Sequence, residues 1–458
     1  MKSIPFDKND LPVSYEVDIV IVGGGTAGAV AGIAAARSGK RTLIVENQGF
    51  LGGSQTGGLV TPEMPVTIKG KSLITGLNSK INKELAKTGD AATFSDGNDG
   101  WFNPEALKCV LEQMYSGHGG KVLFYTRFIQ PLLKEDKIES IIIFNHNGFS
   151  KVNARMVIDT SGDAEVAFSS GVECDEGDNN GFHQPMSLRF IMGNVNVERF
   201  LSFAQENTNL QITELDNGFQ LFTTAHIWSK GWRLEPLFRK AVDEGILEHS
   251  DGNYFQIFSI PGRPGEIAFN CPRIPIKLDG TNAEDLTCVQ IEGKKAIYRI
   301  SRFCRKYLPG LENAYISQIA PFVGVRETRR IRGEYCLTAD DVLNAAKFPD
   351  AVARNNYPID IHNLSISDSK LLKLKSGEYY EIPYRCLVPL KTDNLLVAGR
   401  CISTTFEAQG SIRIQPVCRA LGEAAGSAAA ICIDKKVIPR RLDGTELRKV
   451  LIDLGGNL

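Results

Sequence analysis

The pattern of apolar and polar positions predicts a βαβ unit at the start of the chain. A mostly apolar strand is predicted over Asp18–Val22, an alanine-rich helix over Thr26–Ser38, and a second apolar strand over Arg41–Val45. Apolar runs without alternation are typical of central parallel strands, which are covered on both faces. Gly39 stands where the C-terminal stop of the helix is expected.

The next segment predicts one more helix and strand and then a small antiparallel unit. A helix is predicted over Asn103–Tyr115, opened by Pro104 in its first turn, and a strand over Lys121–Tyr125. Apolar runs then alternate with turn residues, which predicts an antiparallel hairpin or meander followed by a strand over Met156–Asp159.

From about Val172 to about Tyr384 the alternation of predicted strands and helices is lost. The alternation returns after Tyr384. The last part predicts a strand over Asn394–Arg400 and a long small-residue helix over Ile414–Asp434. We therefore expect a discontinuous nucleotide-binding domain, residues 1–171 and 385–458, with residues 172–384 inserted as a substrate domain.

Composition and charge narrow the class of protein. The 458 residues carry a net charge of -1, from 52 basic and 53 acidic residues, so no long-range attraction for nucleic acid is expected. The sequence shows neither an apolar run near the ~20 residues of a membrane span nor a secretory signal, which predicts a cytoplasmic protein. The ten cysteines lack a CxxC pair and the histidines lack metal-ligand spacing, so no metal is expected.

The turn after the first strand carries a dinucleotide-binding pattern. Gly23, Gly25 and Gly28 form G-x-G-x-x-G between the predicted strand and helix, and Glu46 ends the next strand. The glycines allow a tight turn, a close approach of the backbone to a pyrophosphate and close helix packing. The helix N-terminus offers free N–H groups to the phosphates, and Glu46 can accept hydrogen bonds from an adenosine ribose.

This pattern alone fits either NAD or FAD, and three later segments favour FAD. They are "LGGSQTGGLV" (51–60), "VIDTSGDAEVA" (157–167) and "NLLVAGRCISTTFEAQGSIRIQPVCRALGEAAGSAAA" (394–430). With these segments the chain resembles the FAD-dependent oxidoreductases of the two-dinucleotide-binding-fold superfamily, which are related to glutathione reductase and fumarate reductase. The resemblance implies an α/β fold, with a Rossmann-type FAD-binding domain (a parallel sheet with a small antiparallel meander) plus an inserted mixed α+β substrate domain.

The resemblance also implies which residues contact FAD. The pyrophosphate, ribose and ribityl chain are expected beside the two glycine clusters and the acid, the adenine beside the third turn, and the isoalloxazine ring beside the last segment. The expected cofactor-binding residues are Gly23, Gly24, Gly25, Thr26, Ala27, Gly28, Glu46, Asn47, Gly52, Gly53, Ser54, Phe128, Ser161, Gly162, Gly399, Arg400, Ser411, Arg413 and Ile414.

Four residues are candidates for the chemistry itself. Arg413 and the N-terminus of the helix that follows would stabilise negative charge on a reduced flavin. Arg326 opens a stretch in which, if it is extended, Arg326, Thr328, Arg330 and Arg332 share one face and Glu327 and Arg329 the other. Such a stretch would bind an anionic substrate or brace an interface by ion pairs. His183 and Glu407 are candidates for proton transfer.

The function predicted is that of an FAD-dependent oxidoreductase, which transfers a hydride between a small polar organic substrate and flavin N5. The electron acceptor is open, and a homodimer is expected only from the general preference for two-fold symmetry. Three alternatives remain at this point. They are an NAD(P)-dependent dehydrogenase without flavin, an RNA-modifying flavoprotein, and a flavin-binding module without turnover.

Overall fold

A computed structural model of the chain describes residues 10–93, 99–214, 220–226, 233–362 and 369–458. The helices in these ranges are α1 (Thr26–Arg37), α2 (Leu77–Lys87), α3 (Pro104–Gly117), α4 (Glu165–Ser169), α5 (Val197–Asn207), α6 (Glu235–Asp243), α7 (Ala283–Tyr307), α8 (Ala339–Leu343), α9 (Phe406–Ile412), α10 (Gln415–Lys435) and α11 (Gly444–Asp453). The strands in the first half of the chain are β1 (Val13–Val22), β2 (Thr42–Val45), β3 (Thr67–Ile68), β4 (Lys71–Ser72), β5 (Ala91–Thr93), β6 (Asp99–Phe102), β7 (Lys121–Leu123), β8 (Arg127–Lys134), β9 (Lys137–Asn145), β10 (Gly148–Asp159), β11 (Cys174–Glu176), β12 (Phe190–Gly193), β13 (Gln211–Glu214) and β14 (Gln220–His226). Those in the second half are β15 (Phe255–Ser259), β16 (Ile267–Phe269), β17 (Tyr315–Ile319), β18 (Arg329–Ile331), β19 (Ala351–Asn355), β20 (Ile359–His362), β21 (Ser369–Leu372), β22 (Tyr380–Pro383) and β23 (Leu395–Val397).

The first sheet combines a parallel part with an antiparallel meander, as the sequence predicts. Its order is β7-β2-β1-β10-β9-β8, and β23 pairs with β10. Strands β7, β2, β1, β10 and β23 are parallel to one another, whereas β9 is antiparallel to both of its neighbours, β10 and β8. The chain is thus of the α/β class, with the predicted strands at both of its ends in one sheet.

The predicted strand at Met156–Asp159 is the second half of a longer strand. β10 begins at Gly148, pairs with β9 over its first half and with β23 over its last three residues, Val157–Asp159. The physical reason is that β10 keeps β1 on one side along most of its length, while on its other side it pairs first with β9 and then with β23. The meander and the parallel sheet are therefore continuous.

Helices from the two ends of the chain cross closely over this sheet. α1 and α10 approach at Gly422 and Gly426, where a Cβ atom would overlap the carbonyl oxygens of Ala27 and Ala31. Glycine is required at such a crossing because the helix backbones are nearly in contact. This crossing packs α1, which follows the first glycine turn, directly against α10.

The middle of the chain builds a second sheet, of order β13-β14-β15-β16-β12-β17, which is antiparallel throughout. Aromatic residues fill the core beneath it, including Phe190 stacked on Phe269 with centroids 4.3 Å apart. Helix α7 contributes Phe303 to the same core.

Part of the segment between the second sheet and β23 packs with the first sheet. Val352 from β19 and Ile382 from β22 belong to the same apolar core as α1 and α10. The division of the chain at residues 171 and 384 remains a prediction.

Candidate functional site

A cavity of about 1370 Å³ lies where the parallel strands of the first sheet end and the second sheet begins. The turns after β1, β2 and β10 line one end, and residues beside the second sheet line the other. Open α/β sheets bind ligands at the carboxyl ends of their strands, so the position of this cavity is the expected one. Its volume exceeds the roughly 300–1,000 Å³ of an ordinary small-molecule pocket.

The first glycine turn forms the floor of one end of the cavity. A Cβ atom on Gly28 would overlap the carbonyl oxygen of Gly23, whereas a Cβ atom on Gly25 would meet nothing within 4 Å. Gly28 therefore serves the packing of the turn, and Gly25 opens toward the cavity. α1 begins at Thr26, directly at this opening, so its free N–H groups face the same space.

Glu46 fixes the turn from the neighbouring strand. Its carboxylate accepts hydrogen bonds from the backbone N–H groups of Gly24, at 2.6 Å, and Gln48, at 2.7 Å. Burial raises the pKa of Glu46 against the effect of these hydrogen bonds. The carboxylate lines the cavity, as required of a group that accepts from a ribose.

The second glycine cluster packs on the first and is held from below by a buried arginine. The Gly52 N–H group donates to the carbonyl oxygen of Gly24 at 2.8 Å. Arg419 is fully buried in α10 and donates to Gln55 at 2.8 and 3.0 Å and to Asn78 at 2.9 Å, with Glu63 at 3.4 Å. Burial lowers the pKa of Arg419. The second glycine loop, which borders the cavity, is thus hydrogen-bonded to α10.

The turn after β10 meets the end of β23 on the same side of the cavity. The buried carboxylate of Asp159 accepts from the N–H groups of Ser161, Val166 and Ala167 and shapes the turn. Arg400 donates to the Gly162 carbonyl oxygen, to Asp163 and to the carbonyl oxygen of Val325, each within 2.8 Å. Its guanidinium therefore braces the cavity wall.

Helix α10 begins at the cavity, with Pro416 in its first turn as the sequence predicts. Arg413, Ile414 and Gln415 line the cavity just before and at this N-terminus. The Gln415 Oε1 atom and the Arg413 Nε atom are buried without a hydrogen-bond partner. The positive end of the helix dipole therefore faces the cavity.

Four arginines gather at the end of the cavity nearest the second sheet. They are Arg189, Arg273, Arg326 and Arg413. Burial and the charges of the other three lower the pKa of Arg326 far below its ordinary value, and burial lowers the pKa of Arg189 to about 10. The Arg273 guanidinium lies 3.6 Å from the centroid of the Tyr254 ring.

One carboxylate faces these arginines. Arg413 Nη2 lies 3.6 Å from Asp360 Oδ2 and donates to the Asp360 carbonyl oxygen at 3.0 Å. Burial opposes the ionisation of Asp360, but the hydrogen bond from His362 and the charges of Arg413 and Arg273 outweigh it and hold its pKa far below the usual range. Burial and Arg273 lower the pKa of His362 to about 3, so its imidazole is neutral at pH 7.

Most of the residues expected to bind the cofactor lie around this one cavity, although their roles remain predictions. The expected residues in its lining are Gly23, Gly25, Thr26, Ala27, Glu46, Asn47, Gly53, Ser54, Phe128, Ser161, Gly162, Gly399, Arg400, Arg413 and Ile414. Four others, Gly24, Gly28, Gly52 and Ser411, are not in the lining. Ser411 is buried and hydrogen-bonded to Tyr380, Asn355 and the carbonyl oxygen of Tyr357.

Two of the residues expected to take part in the chemistry, His183 and Glu407, do not line the cavity. The His183 Nδ1 atom lies 2.9 Å from Glu327, whose hydrogen bond raises the pKa of the imidazole. His183 also forms a group with Glu176 and Asp279, whose ligand atoms lie within 4.8 Å of one another. Glu407 lies in the first turn of α9.

The expectation of one extended arginine stretch is wrong in its details. Only Arg329–Ile331 forms a strand, and the buried side chain of Arg330 pairs with Glu327, which an unbroken strand would place on the opposite face. Arg326 alone of the predicted face turns into the cavity, whereas Arg332 pairs at the surface with Asp175. Gly177, directly after β11, bonds to both members of the buried pair: its N–H group donates to Glu327, and its carbonyl oxygen accepts from Arg330.

Several lining residues carried no recognisable signal in the sequence. Arg189, Tyr254, Arg273, Tyr357, Asp360 and His362 come from segments without a motif. They converge only because the second sheet and the β20 region face the first sheet across the cavity.

One described helix has the length and composition of a membrane span, which the sequence analysis did not anticipate. It is α10, and 94% of the apolar stretch is buried inside the protein.

The residues present fit an FAD molecule. The fit rests on the open face of Gly25, the placement of Glu46, and the position of Arg413 in the lining at a helix N-terminus. The volume leaves room for an extended dinucleotide together with a substrate.

Comparison with solved structures finds enzymes and enzyme-like proteins of low sequence identity. A geranylgeranyl bacteriochlorophyll reductase-like protein from Thermoplasma acidophilum is 14% identical, with 96% of this chain and 83% of that chain covered and a TM-score of 0.45. A p-nitrophenol 4-monooxygenase from Pseudomonas putida is 10% identical, with 96% and 86% covered and a TM-score of 0.47.

Comparison with curated proteins finds partial relatives. A thiamine thiazole synthase from Methanococcus aeolicus is 31% identical over 168 residues, and one from Methanococcus vannielii is 28% identical over 163 residues. The matches cover about a third of this chain and 58% of each relative.

A family model covers nearly the whole chain. It is described as FAD dependent oxidoreductase and matches residues 18–451, which include both glycine clusters, the second sheet and α10. The chain therefore belongs to the FAD dependent oxidoreductase family, and its cofactor is FAD.

Proposed function

We propose that the protein transfers a hydride between a small polar organic substrate and N5 of FAD, with the substrate held by the arginines of the cavity. The observation that carries this proposal is that Gly25 and Arg413, nearly four hundred residues apart in the chain, line one cavity. Bound FAD would supply the redox chemistry, and the chain's own residues would bind, orient and exchange protons.

The glycine end is proposed to hold the dinucleotide. The N-terminus of α1 and the open face of Gly25 suit the pyrophosphate, and Glu46 suits the ribose hydroxyls. The residues after β10 and β23, Ser161 and Gly399, are proposed to border the same molecule.

The other end is proposed to hold the reacting centre. The N-terminus of α10 and Arg413 would stabilise negative charge that develops there, since both are positive and partly shielded from water. Arg326 would orient the substrate. The neutral imidazole of His362 and the phenol of Tyr357, whose pKa is raised by burial and by Asp360, are the lining groups proposed to exchange a proton.

The proposal is tested by flavin binding and by substrate-driven bleaching. The protein loaded with FAD should show the visible band of oxidised flavin, and a reducing substrate added without oxygen should bleach it. Arg413→Gln should slow bleaching at least about tenfold, the size expected for a lost charged contact. Arg302→Gln, on the exposed side of α7, is the matched control and should bleach at the original rate.

Two results would contradict the proposal. A protein that takes up no FAD would remove the cofactor from this site. Bleaching at an unchanged rate in Arg413→Gln would separate the arginine end from the reaction.

A further inference from the structure

The segment Tyr357–Asp360, which leads into β20, carries two of the groups that line the cavity. The Tyr357 hydroxyl donates to Asp360 Oδ2 at 3.4 Å, and the Asp360 carbonyl oxygen accepts from Arg413 at 3.0 Å. These contacts lie at the end of the cavity that holds the arginine cluster, which consists of Arg189, Arg273, Arg326 and Arg413. The placement of this segment therefore affects how the Arg413 guanidinium is held.

Three side chains hold the segment from behind the cavity wall, and we call them the serine clamp. They are Asn355 at the end of β19, Tyr380 at the start of β22 and Ser411 near the end of α9. All three are fully buried and lie outside the cavity lining. The Ser411 hydroxyl donates to the Tyr357 carbonyl oxygen at 2.6 Å, and Asn355 Oδ1 accepts from the Tyr357 N–H group at 2.9 Å. Both backbone polar groups of Tyr357 are thus bound by the clamp.

The hydrogen bonds within the clamp have a single set of directions, because each hydroxyl carries one proton. The Ser411 proton goes to the Tyr357 carbonyl oxygen, so the Tyr380 hydroxyl, 2.6 Å from Ser411 Oγ, is the donor of that pair. Asn355 Nδ2 then donates to the Tyr380 hydroxyl at 2.6 Å and to the Ser411 carbonyl oxygen at 3.1 Å. The loss of any one of these groups would therefore leave buried partners unpaired.

The clamp fixes both ends of the Arg413 side chain. The Arg413 backbone follows Ser411 by two residues and ends α9, where its N–H group donates to the Gln409 carbonyl oxygen at 3.2 Å. The Arg413 guanidinium rests on the carbonyl oxygen of Asp360, in the segment that the clamp holds at Tyr357. Because the Asn355 side chain bonds to the backbones of both Tyr357 and Ser411, it joins these two supports.

We propose that Asn355, Ser411 and Tyr380 are positioning residues, which act on the bound flavin through Arg413. The inference rests on the proposed function, which puts Arg413 at the reacting centre. The sequence predicts Ser411 as a flavin contact, and its burial behind the cavity wall suits an indirect role instead. A guanidinium stabilises the negative charge of reduced FAD most when it is held in place beforehand, so a loosened clamp should weaken that stabilisation.

The test is the midpoint potential of bound FAD, measured by anaerobic titration of the FAD-loaded protein with dithionite and a reference dye. This measurement needs no substrate. Arg413→Gln should lower the potential by an amount equivalent to an about tenfold weaker preference for reduced over oxidised FAD, and Ser411→Ala should lower it by the equivalent of about threefold. An unchanged potential in either variant would overturn the inference.

Ser259→Ala is the matched control for Ser411→Ala. The Ser259 hydroxyl is also buried and hydrogen-bonded to the backbone, where it accepts from the Phe222 N–H group at 3.0 Å, but Ser259 lies in the second sheet and outside the cavity lining. Its loss should reduce stability and leave the potential of the flavin unchanged. An equal shift of the potential in both variants would mean that any loss of stability moves the potential, which would overturn the inference.

The double variant Ser411→Ala/Arg413→Gln separates positioning from a direct effect. If the clamp acts through Arg413, Ser411→Ala should cause no further shift once the guanidinium is gone. The same shift with and without Arg413 would overturn the inference. If Ser411→Ala does not fold, Tyr380→Phe keeps the ring and removes one hydroxyl of the clamp, and it should give a smaller downward shift that also disappears in Arg413→Gln. A folded Tyr380→Phe protein with the parent's potential would then overturn it.

The outcome is separable from that of the proposed function. Substrate-driven bleaching in a protein whose clamp variants keep the parent's potential would leave the oxidoreductase proposal intact and remove the positioning role. A potential that depends on the clamp, in a protein whose flavin no substrate bleaches, would do the reverse.

Discussion

The two ends of the cavity bind by different means. At the glycine end, the backbone and one carboxylate form the surface, and the described acid Glu46 is satisfied by its own loop. At the arginine end, side chains form the surface, and several of their polar atoms have no partner within the protein. The glycine end is therefore mainly a backbone surface, whereas the arginine end is mainly a surface of charged side chains.

This difference separates what is general from what is specific in the enzyme. A backbone turn with a helix N-terminus suits any molecule with the same diphosphate, which is why the pattern recurs among many enzymes. Charged side chains with unmatched donors select a ligand by its charge and shape. We therefore expect changes at the glycine end to affect the cofactor and changes at the arginine end to affect the substrate.

The largest expected effect concerns the support of the glycine end. Arg419→Met should lower the free energy of unfolding by about 3–5 kcal/mol, because it removes the positive charge that faces the buried carboxylate of Glu63 and the donor to three buried amide oxygens, those of Gln55, Asn78 and Asn82. Chemical denaturation measures the loss. FAD retention should fall with it, since Gln55 belongs to the second glycine loop.

The double variant Arg419→Met/Glu63→Gln is the control for Arg419. It removes the uncompensated charge and should recover part of the stability. Full stability in Arg419→Met alone would mean that the buried network does not hold the loop.

The next effect concerns the charge balance at the arginine end. Asp360→Asn should lower the free energy of unfolding by about 3 kcal/mol at pH 7, because the guanidinium groups of Arg273, Arg326 and Arg413 lose their carboxylate. The pKa of Asp360 is depressed in the folded state, so its contribution is present above its unfolded pKa and is lost as the pH falls through the folded pKa. Thermal melts from pH 7 downward should show the variant and the parent converging.

An added anion provides the check on this charge argument. Sulfate should raise the melting temperature of Asp360→Asn more than that of the parent, because a bound anion replaces the missing charge. Equal shifts in the two proteins would show that the cluster does not bind anions.

A smaller effect separates cofactor binding from folding at the glycine end. Gly25→Ala should change the free energy of unfolding by only about 0.5 kcal/mol, since its Cβ atom meets no protein atom and its backbone is extended. The affinity for FAD should nevertheless fall about tenfold, because the methyl group occupies the space proposed for the pyrophosphate. Equilibrium titration of the apoprotein with FAD measures this.

Gly117→Ala, near the end of α3, is the matched control for Gly25→Ala. It also has open space around the added Cβ atom, but it lies away from the cavity, and both its stability and its FAD affinity should stay near those of the parent. A loss of FAD affinity in both variants would show that the effect is not local.

The smallest expected effect concerns the pair of His183 and Glu327, the residue that follows Arg326 in the chain. The hydrogen bond that the His183 imidazole donates to Glu327 raises the pKa of His183, so its stabilisation is fully present below the unfolded pKa and is lost as the pH rises through the folded pKa. His183→Gln should therefore cost roughly 1 kcal/mol at pH 6 and less at pH 9, measured by thermal melts.

The same variant examines the predicted catalytic role of His183. The imidazole does not line the cavity, so the rate of substrate-driven bleaching should change little. A large loss of rate at unchanged stability would favour the proton-transfer role predicted from the sequence.

The glycine end could be predicted from the sequence because its signals are local. Gly23, Gly25, Gly28 and Glu46 lie within two strands and one helix, and their spacing follows from the geometry of a βαβ unit. The same applies to α10, whose first-turn proline and small residues stand together in the chain.

The arginine end could not be predicted in the same way. Arg189, Arg273 and Asp360 belong to segments whose neighbours in space are set by tertiary packing and not by spacing along the chain. The shared arginine face, predicted around Arg326 on the condition of an extended stretch, does not form, since only Arg329–Ile331 is a strand and Arg330 pairs with Glu327. Long-range pairing of charges has no period that a sequence pattern displays.

The close crossing of α1 and α10 at Gly422 and Gly426 has a consequence for biosynthesis. A chain emerging from the ribosome would present the glycine turn at its start, while β23 and α10, which complete the sheet and the cavity, are still to be made. The cavity is therefore complete only after β23 and α10 have been made and have packed against the first sheet and α1.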